Sequence, residues 1–181
     1  MSITLTRTLL EHLREGGQAA DGARARLVAD AQQADELRAL VASALAVGLR
    51  PSDRAITRWL LEQETAAHVA CGAGASEALY TLVAALARFG QPSDVTPLWR
   101  ARQATAETRA GVDAEQFARV GLSAARALLA DSARAGGPDA AEARAALDWL
   151  DEAQREGAFD DLPAYFVWSD ERYGVHITGP T

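Results

Sequence analysis

The sequence predicts an all-α fold of stacked antiparallel helix pairs, as a short α-solenoid or an irregular bundle, with a short C-terminal extended or hairpin tail. Apolar residues recur at the i, i+3, i+4, i+7 spacing of a helical face along most of the 181-residue chain. About 40 residues are alanine, the best helix former. Glycine and proline residues lie where the apolar stripes begin and end. Small side chains favour closely packed helices with thin layers between them.

The clearest helical segment is a hairpin within residues 76–105. Its first apolar face consists of Leu79, Leu82, Val83 and Leu86. Ser76 is placed to cap this helix, and Gly90 can adopt the left-handed conformation that ends it. The second helix of the hairpin is expected to run to about Arg109, before Gly111.

Further apolar stripes predict helices over residues 3–15, 22–47, 53–71, 113–135 and 138–157. Gln32 and Gln33 interrupt the long second stripe, so a kink or break is expected there. Asp113 with Gln116 resembles a capping box at the start of the fourth of these helices.

Residues 158–181 form a tail of different composition. Tyr165-Phe166-Val167-Trp168 and residues 173–178 are rich in aromatic and β-branched side chains, which predicts a short hairpin or an extended segment over the helices. Left in water, this segment would be a large apolar patch. We expect it to cap the open end of the helical stack in its own chain, with pairing to a second copy as the alternative. The chain is accordingly expected to be a monomer or a homodimer.

The helix boundaries repeat along the chain. Pro51-Ser52-Asp53 recurs as Pro92-Ser93-Asp94 after about 41 residues, and Pro138-Asp139 follows about 46 residues later. The simplest organisation is one domain with an N-terminal helix (1–17), three helix pairs (22–71, 75–110 and 113–157) and the tail. Each repeat contains one tryptophan in an apolar stripe: Trp59, Trp99 and Trp149. Core packing is the expected role of this set, and a ligand-lining aromatic set is the alternative.

This period, with its proline and tryptophan positions, resembles the HEAT and armadillo-type α-solenoids over residues 22–157. The HEAT family carries an aspartate in the turn and an arginine in the second helix of its repeat. Here Asp53 and Asp94 follow the prolines, and Arg58 and Arg100 lie in the helices after them. The register of the two arginines differs by one residue, and the third unit has no clear match. The resemblance implies that the second helices line a concave face.

Polar residues recur on the outer side of these second helices. The candidate binding residues are Arg54, Arg58, Glu62, Arg100, Gln103 and Glu107. A polar, arginine-bearing groove predicts a non-catalytic interaction module for a protein or peptide partner, without a cofactor. The competing interpretation is a solvated face with helical ion pairs.

A small enzyme or metal-binding protein is the alternative function. Glu64, His68 and Cys71 lie about one turn apart on one helix, and a metal site there needs a further ligand, such as Glu11 or His12. The structural interpretation is a histidine at a helix C-terminus, where positive charge is favourable, beside a buried thiol.

Composition and net charge limit the classes of partner that the protein is expected to bind. The formal net charge is −7, and the acidic excess lies after Gly136, which disfavours nucleic acid and anionic membranes as partners. A third function, a nucleic-acid-binding HEAT-like protein, is disfavoured for the same reason. Cys71 is the single cysteine, and no apolar run reaches the length of a membrane span, so a cytoplasmic protein is expected. The absence of lysine and asparagine indicates a GC-rich, bacterial genome.

Overall fold

A computed structural model describes residues 3–29, 31–72 and 74–176. The described part of the chain forms these α-helices: α1 (Ile3–Glu15), α2 (Gly17–Arg26), α3 (Ala31–Val47), α4 (Arg54–Cys71), α5 (Glu77–Arg88), α6 (Val95–Gln103), α7 (Ala106–Gly111), α8 (Ala114–Arg119), α9 (Leu122–Ala135), α10 (Ala140–Arg155) and α11 (Leu162–Tyr173). Single 3₁₀ turns, Pro51–Asp53 and Pro92–Asp94, precede α4 and α6. The described residues contain no β-sheet, so the predicted all-α fold is confirmed.

Successive helices pack in pairs, and α5 lies at the centre. The pairs α3/α4, α5/α6 and α9/α10 each have a short connection, which makes neighbours antiparallel. Helix α5 also contacts α3, α4, α8 and α11, and nearly its whole length is buried. Layers of this kind are consistent with a helical-repeat architecture. No helix in the described ranges combines the length and apolar composition needed to cross a membrane.

The predicted ends of the central helix are confirmed. The Leu79 N–H donates to Ser76 Oγ at 3.1 Å, which caps the first turn of α5. Gly90 adopts φ +65°, a left-handed conformation that few other residues tolerate. Pro92 then opens the turn that leads into α6.

Three predicted long helices are each divided in two. The 22–47 segment breaks between Arg26 and Ala31, slightly before the expected glutamines. The second hairpin helix ends at Gln103 instead of about Arg109, because Thr105 and Thr108 cap a new helix: each hydroxyl accepts from the other's backbone N–H. The 113–135 helix is interrupted where Gly121 takes φ +90°.

The expected Asp113–Gln116 capping box does not form. The Asp113 carboxylate instead accepts from Tyr165 Oη at 2.9 Å, and its side chain does not cap α8. Gln116 Nε2 donates to Ser169 Oγ at 2.7 Å and to Tyr165 Oη at 3.1 Å. These polar side chains therefore hold α8 to α11.

The prediction of a hairpin or extended tail is wrong over residues 162–173, which form α11. Asp161 Oδ1 accepts from the Ala164 N–H, Pro163 occupies the first turn, and Gly174 ends the helix at φ +62°. These start and stop signals, together with packing on α5 and α8, outweigh the β propensity of the aromatic run. The part of the predicted tail beyond His176 lies outside the described residues.

The tail packs on the body of its own chain and not on the open end beside α10. Arg119 makes a two-pronged ion pair with Asp170, at 2.6 and 2.9 Å, between α8 and α11. Beyond α11, the His176 N–H donates to the Ala46 carbonyl, and the Leu49 N–H donates to the His176 carbonyl. The expected end cap is thus corrected to a strap that crosses several helices.

Trp99 belongs to the core, as predicted. It is 4% exposed and lies 5.6 Å from the Trp149 ring, which in turn meets Phe117 edge-on. The Arg102 guanidinium stacks over Trp149 at 4.0 Å. Trp59 and Trp149 are partly buried and pack against the same core.

We expect Trp99→Ala to lower the free energy of unfolding by about 3–5 kcal/mol, because a large buried ring would leave a cavity. Urea unfolding followed by circular dichroism measures the change. The control is Trp168→Ala, because Trp168 is 49% exposed on α11 and its removal should cost less than about 1 kcal/mol. Similar losses for both variants would contradict a core role for Trp99.

Candidate functional site

Four of the six predicted binding residues meet on one face. Arg54, Arg58 and Glu62 follow one another along α4, which packs beside α6 and Arg100. Their side chains are at least one-third exposed. We call this surface the α4–α6 face.

The arginines of this face have ion-pair partners within the chain. Arg54 makes a two-pronged ion pair with Asp94, both hydrogen bonds being 2.8 Å, and this raises the pKa of its guanidinium. Arg58 Nε donates to Glu62 Oε1 at 3.1 Å. Arg100 pairs with Glu142 and Asp139 on the α10 side, each at 3.1 Å.

Gln103 and Glu107 do not share a helix, contrary to the predicted spacing. Gln103 is the last residue of α6, and Glu107 lies on α7 beyond the Thr105 cap. The Glu107 carbonyl accepts from Tyr80 Oη at 3.3 Å, which places it beside α5. The helix break therefore separates Glu107 from the Arg54 and Arg100 surface.

A shallow cavity of about 250 Å³ opens on the α4–α6 face. Its lining consists of Glu62, Thr65, Ala66, Pro97 and Arg100. The Thr65 hydroxyl is buried, and it has no hydrogen-bond partner among the described residues. The cavity therefore combines small apolar side chains with charged side chains of both signs.

The turn aspartates join each unit to an arginine that precedes it in the chain. Asp53 accepts from Arg14 at 2.6 Å, Asp94 from Arg54 at 2.8 Å and Asp139 from Arg100 at 3.1 Å. The partners are 39, 40 and 39 residues apart. The first two aspartates are fully buried and the third is exposed. We call these contacts the arginine–aspartate pairs.

The cluster predicted around Glu64 is only partly assembled. Buried Glu64 accepts from Arg38 Nε and from Ser76 Oγ, each at 2.7 Å, and His68 Nε2 lies 3.5 Å from Glu64 Oε1. Cys71, at the end of α4, is exposed and not buried as the structural interpretation supposed. In the described ranges, no three His, Cys, Asp or Glu side chains are grouped to hold a metal ion.

The two further candidate ligands lie on α1. Glu11 accepts hydrogen bonds from Arg14 at 2.8 Å and from Arg50 at 3.1 Å, and His12 is its neighbour in sequence. The hydrogen bond from Arg14 is the main cause of a lowered pKa of Glu11. Glu11 thus belongs to an arginine cluster.

Ser76, His68 and Glu64 do not have the geometry of a catalytic triad. In a triad, the acid binds the ring nitrogen opposite the one that faces the serine. Here Ser76 Oγ and Glu64 Oε1 both face His68 Nε2, at 3.0 and 3.5 Å. Ser76 is also occupied as the cap of α5. With Arg38, these residues form a buried polar network that joins α3, α4 and α5.

Another cavity lies elsewhere, and the sequence did not predict it. A cleft of about 460 Å³ runs between α1 and α3, and we call it the N-terminal cleft. Its lining is Ile3, Thr6, Arg7, Leu10, Glu11, Arg14, Leu40, Ala44, Gly48 and Arg50. On α1, Ile3 is exposed, whereas Leu10 is buried like Leu9 and Leu13. The seven-residue spacing of Ile3 and Leu10 is the signal that could have revealed the cleft.

Comparison with family models, curated proteins and solved structures found no match to this chain.

Two carboxyl groups with raised pKa values, Asp113 and Glu115, lie where α8 meets α11. Burial raises the pKa of Asp113, and the hydrogen bond from Tyr165 lowers it by less. Burial also raises the pKa of Glu115, and nearby Asp113 adds to this effect. A carboxyl group with a raised pKa in the folded state stabilises the fold below its unfolded pKa. That stability is lost as the pH rises through the folded pKa.

We therefore expect Asp113→Asn to be more stable than the parent at neutral pH, by up to about 1 kcal/mol, because it removes a half-buried charge and still accepts from Tyr165. The difference should vanish below about pH 4. Urea unfolding at both pH values measures it. Asp148→Asn, at an exposed site on α10, should show no such pH dependence. A destabilised Asp113→Asn at neutral pH would show that the carboxylate is favourable.

Proposed function

We propose that this protein is a cytoplasmic, non-catalytic helical-repeat module that binds a protein or peptide partner on its α4–α6 face. The cavity lined by Glu62, Thr65 and Arg100 is the observation that carries this proposal. It lies on the second helices, where the sequence predicts the groove. Ala66 in its lining is exposed, so a bound peptide can contact the cavity there.

The exposed ion pairs at this face do not prevent binding. Arg58 pairs with Glu62, and Arg100 pairs with the exposed Asp139 and with Glu142, which is 28% exposed. Ion pairs near the surface are worth about 0–1 kcal/mol each. A partner carboxylate can therefore replace the internal one at small cost. Arg54 differs, because its partner Asp94 is fully buried. We assign partner contact to Arg58, Glu62 and Arg100, and a structural role to Arg54.

The arginine–aspartate pairs support a HEAT-like arrangement. The resemblance depends on an aspartate in the turn and an arginine in the helix after it. Of those arginines, Arg100 binds Asp139, whereas Asp94 is bound by Arg54 and Arg58 lies 3.7 Å away. The lateral contact of α4 with α6 is that of consecutive second helices in such a stack. A concave face of second helices is where a peptide would lie.

The cavity favours a peptide with a small apolar side chain next to a carboxylate. Ala66 and Pro97 offer apolar contact, and Arg100 at the rim offers a charge-assisted hydrogen bond. Nucleic acid is a poorer partner because the chain carries a net charge of −7.

Site-specific photocrosslinking in the native host tests this proposal. A photoreactive phenylalanine at Ala66, on the cavity wall, should give one defined crosslinked product. The same residue at the exposed Ala124 on α9 should not. Arg100→Glu should remove the product because it repels the partner carboxylate. The control Arg134→Glu alters an exposed, local ion pair on α9 and should leave the product unchanged. A product from both positions, or one insensitive to Arg100→Glu, would contradict the proposed surface.

A further inference from the structure

The N-terminal cleft has the shape of a groove between two parallel helices. Arg14 Nη2 donates to the Gly48 carbonyl at 2.9 Å, so the C-terminal ends of α1 and α3 lie side by side. On α1 the lining residues recur every three or four positions from Ile3 to Arg14, and on α3 they recur every four from Leu40 to Gly48. Successive turns of both helices therefore line the groove, over about 16 Å of α1.

The groove is apolar, and its outer end is open to solvent. Leu40, which is 40% exposed, and the partly buried Ala44 provide its accessible aliphatic contacts, whereas Leu10 is only 4% exposed. Ile3, at one end, is 87% exposed although it is a large aliphatic side chain. Two helices with an apolar seam between them accept a third helix with an apolar stripe.

The charged residues around the groove indicate the charge that a bound helix should carry. Arg7, Arg14 and Arg50 line it together with one acidic residue, Glu11. Arg14 is also paired with the buried Asp53, so the cluster carries one net positive charge. Arg7 is exposed, and no ion pair links it to the described residues. A helix that fits the groove therefore carries acidic residues beside its apolar stripe.

A second copy of this chain is the less suitable occupant. Twofold pairing through the same surface would bring two copies of this arginine cluster, each with one net positive charge, into one interface. Like charges at an interface are unfavourable. Head-to-tail pairing with the acidic region after Gly136 is a different arrangement, which the experiment below separates from binding of a partner.

We propose that the N-terminal cleft is a docking groove for one amphipathic, acidic α-helix of a partner protein. Its apolar side chains, spaced i, i+3 or i+4 and i+7, pack on Leu40 and Ala44. Its flanking Asp or Glu side chains pair with Arg7 and Arg50. This surface is separate from the α4–α6 face, so the protein can hold two partners or two segments of one partner.

Fluorescence anisotropy with designed peptides tests the docking groove. The probe is a labelled peptide of about 16 residues with a leucine stripe at helical spacing and glutamates beside it. Its twin carries lysine in place of every glutamate. We expect the acidic peptide to bind with a Kd at least about tenfold lower than that of the twin. Raising the salt from about 50 to about 500 mM should remove most of this preference.

Matched variants locate the binding. Leu40→Asp should weaken binding of the acidic peptide by at least about tenfold, whereas Leu128→Asp should not; the two leucines are 40% and 42% exposed. Arg7→Glu should weaken the acidic peptide and improve the lysine twin. The control Arg26→Glu, at an exposed position on α2, should alter neither.

Three results would overturn the docking groove. One is equal binding of the two peptides, and another is binding that is insensitive to Leu40→Asp. The third is sedimentation showing an oligomer that Leu40→Asp dissociates, which would make a second copy the occupant. Arg100→Glu should leave peptide binding unchanged, so failure of the α4–α6 face and failure of this groove are distinguishable.

Discussion

The ion pairs between buried turn aspartates and arginines of the preceding unit are the constraint on which the stack depends. Asp53 and Asp94 are fully buried, and a buried carboxylate without a partner is strongly unfavourable. Arg14 and Arg54 each supply two hydrogen bonds to one of these groups. Because each pair spans about one repeat of sequence, sliding one unit along the next would leave a buried charge uncompensated.

The burial of the aspartate in each pair distinguishes arginines with a structural role from arginines that can exchange partners. Towards α10 the pairing becomes exposed, since Asp139 and Arg100 are both largely solvated. Arg100 is also held by Glu142, but that carboxylate is partly exposed, whereas the Asp94 partner of Arg54 is fully buried. At the other end, Arg14 closes the stack and also lines the N-terminal cleft, so the first pair positions one wall of that groove.

Repeated and local features could be predicted from the sequence, and features set by neighbouring helices could not. The Ser76 cap, the Gly90 stop and the Pro-Ser-Asp turns depend on a few adjacent residues. Arg54 and Arg58 lie one turn apart on the same face, so sequence could not show which binds Asp94: Arg54 makes the 2.8 Å contacts, and Arg58 lies 3.7 Å away.

The tail and the N-terminal cleft are also set by neighbouring helices and could not be predicted from the sequence. Aromatic content predicted strands for residues that became α11, because contacts with α5 and α8 decide that segment. The N-terminal cleft exists because α3 lies parallel to α1, which periodicity does not reveal.

A double-mutant cycle on Arg54→Met and Asp94→Asn tests the central role of the arginine–aspartate pairs most directly. We expect a coupling free energy of about 1–3 kcal/mol for this pair and less than about 0.5 kcal/mol for Arg100 with Asp139. A coupling near zero for Arg54 with Asp94, or equal coupling in both pairs, would contradict it.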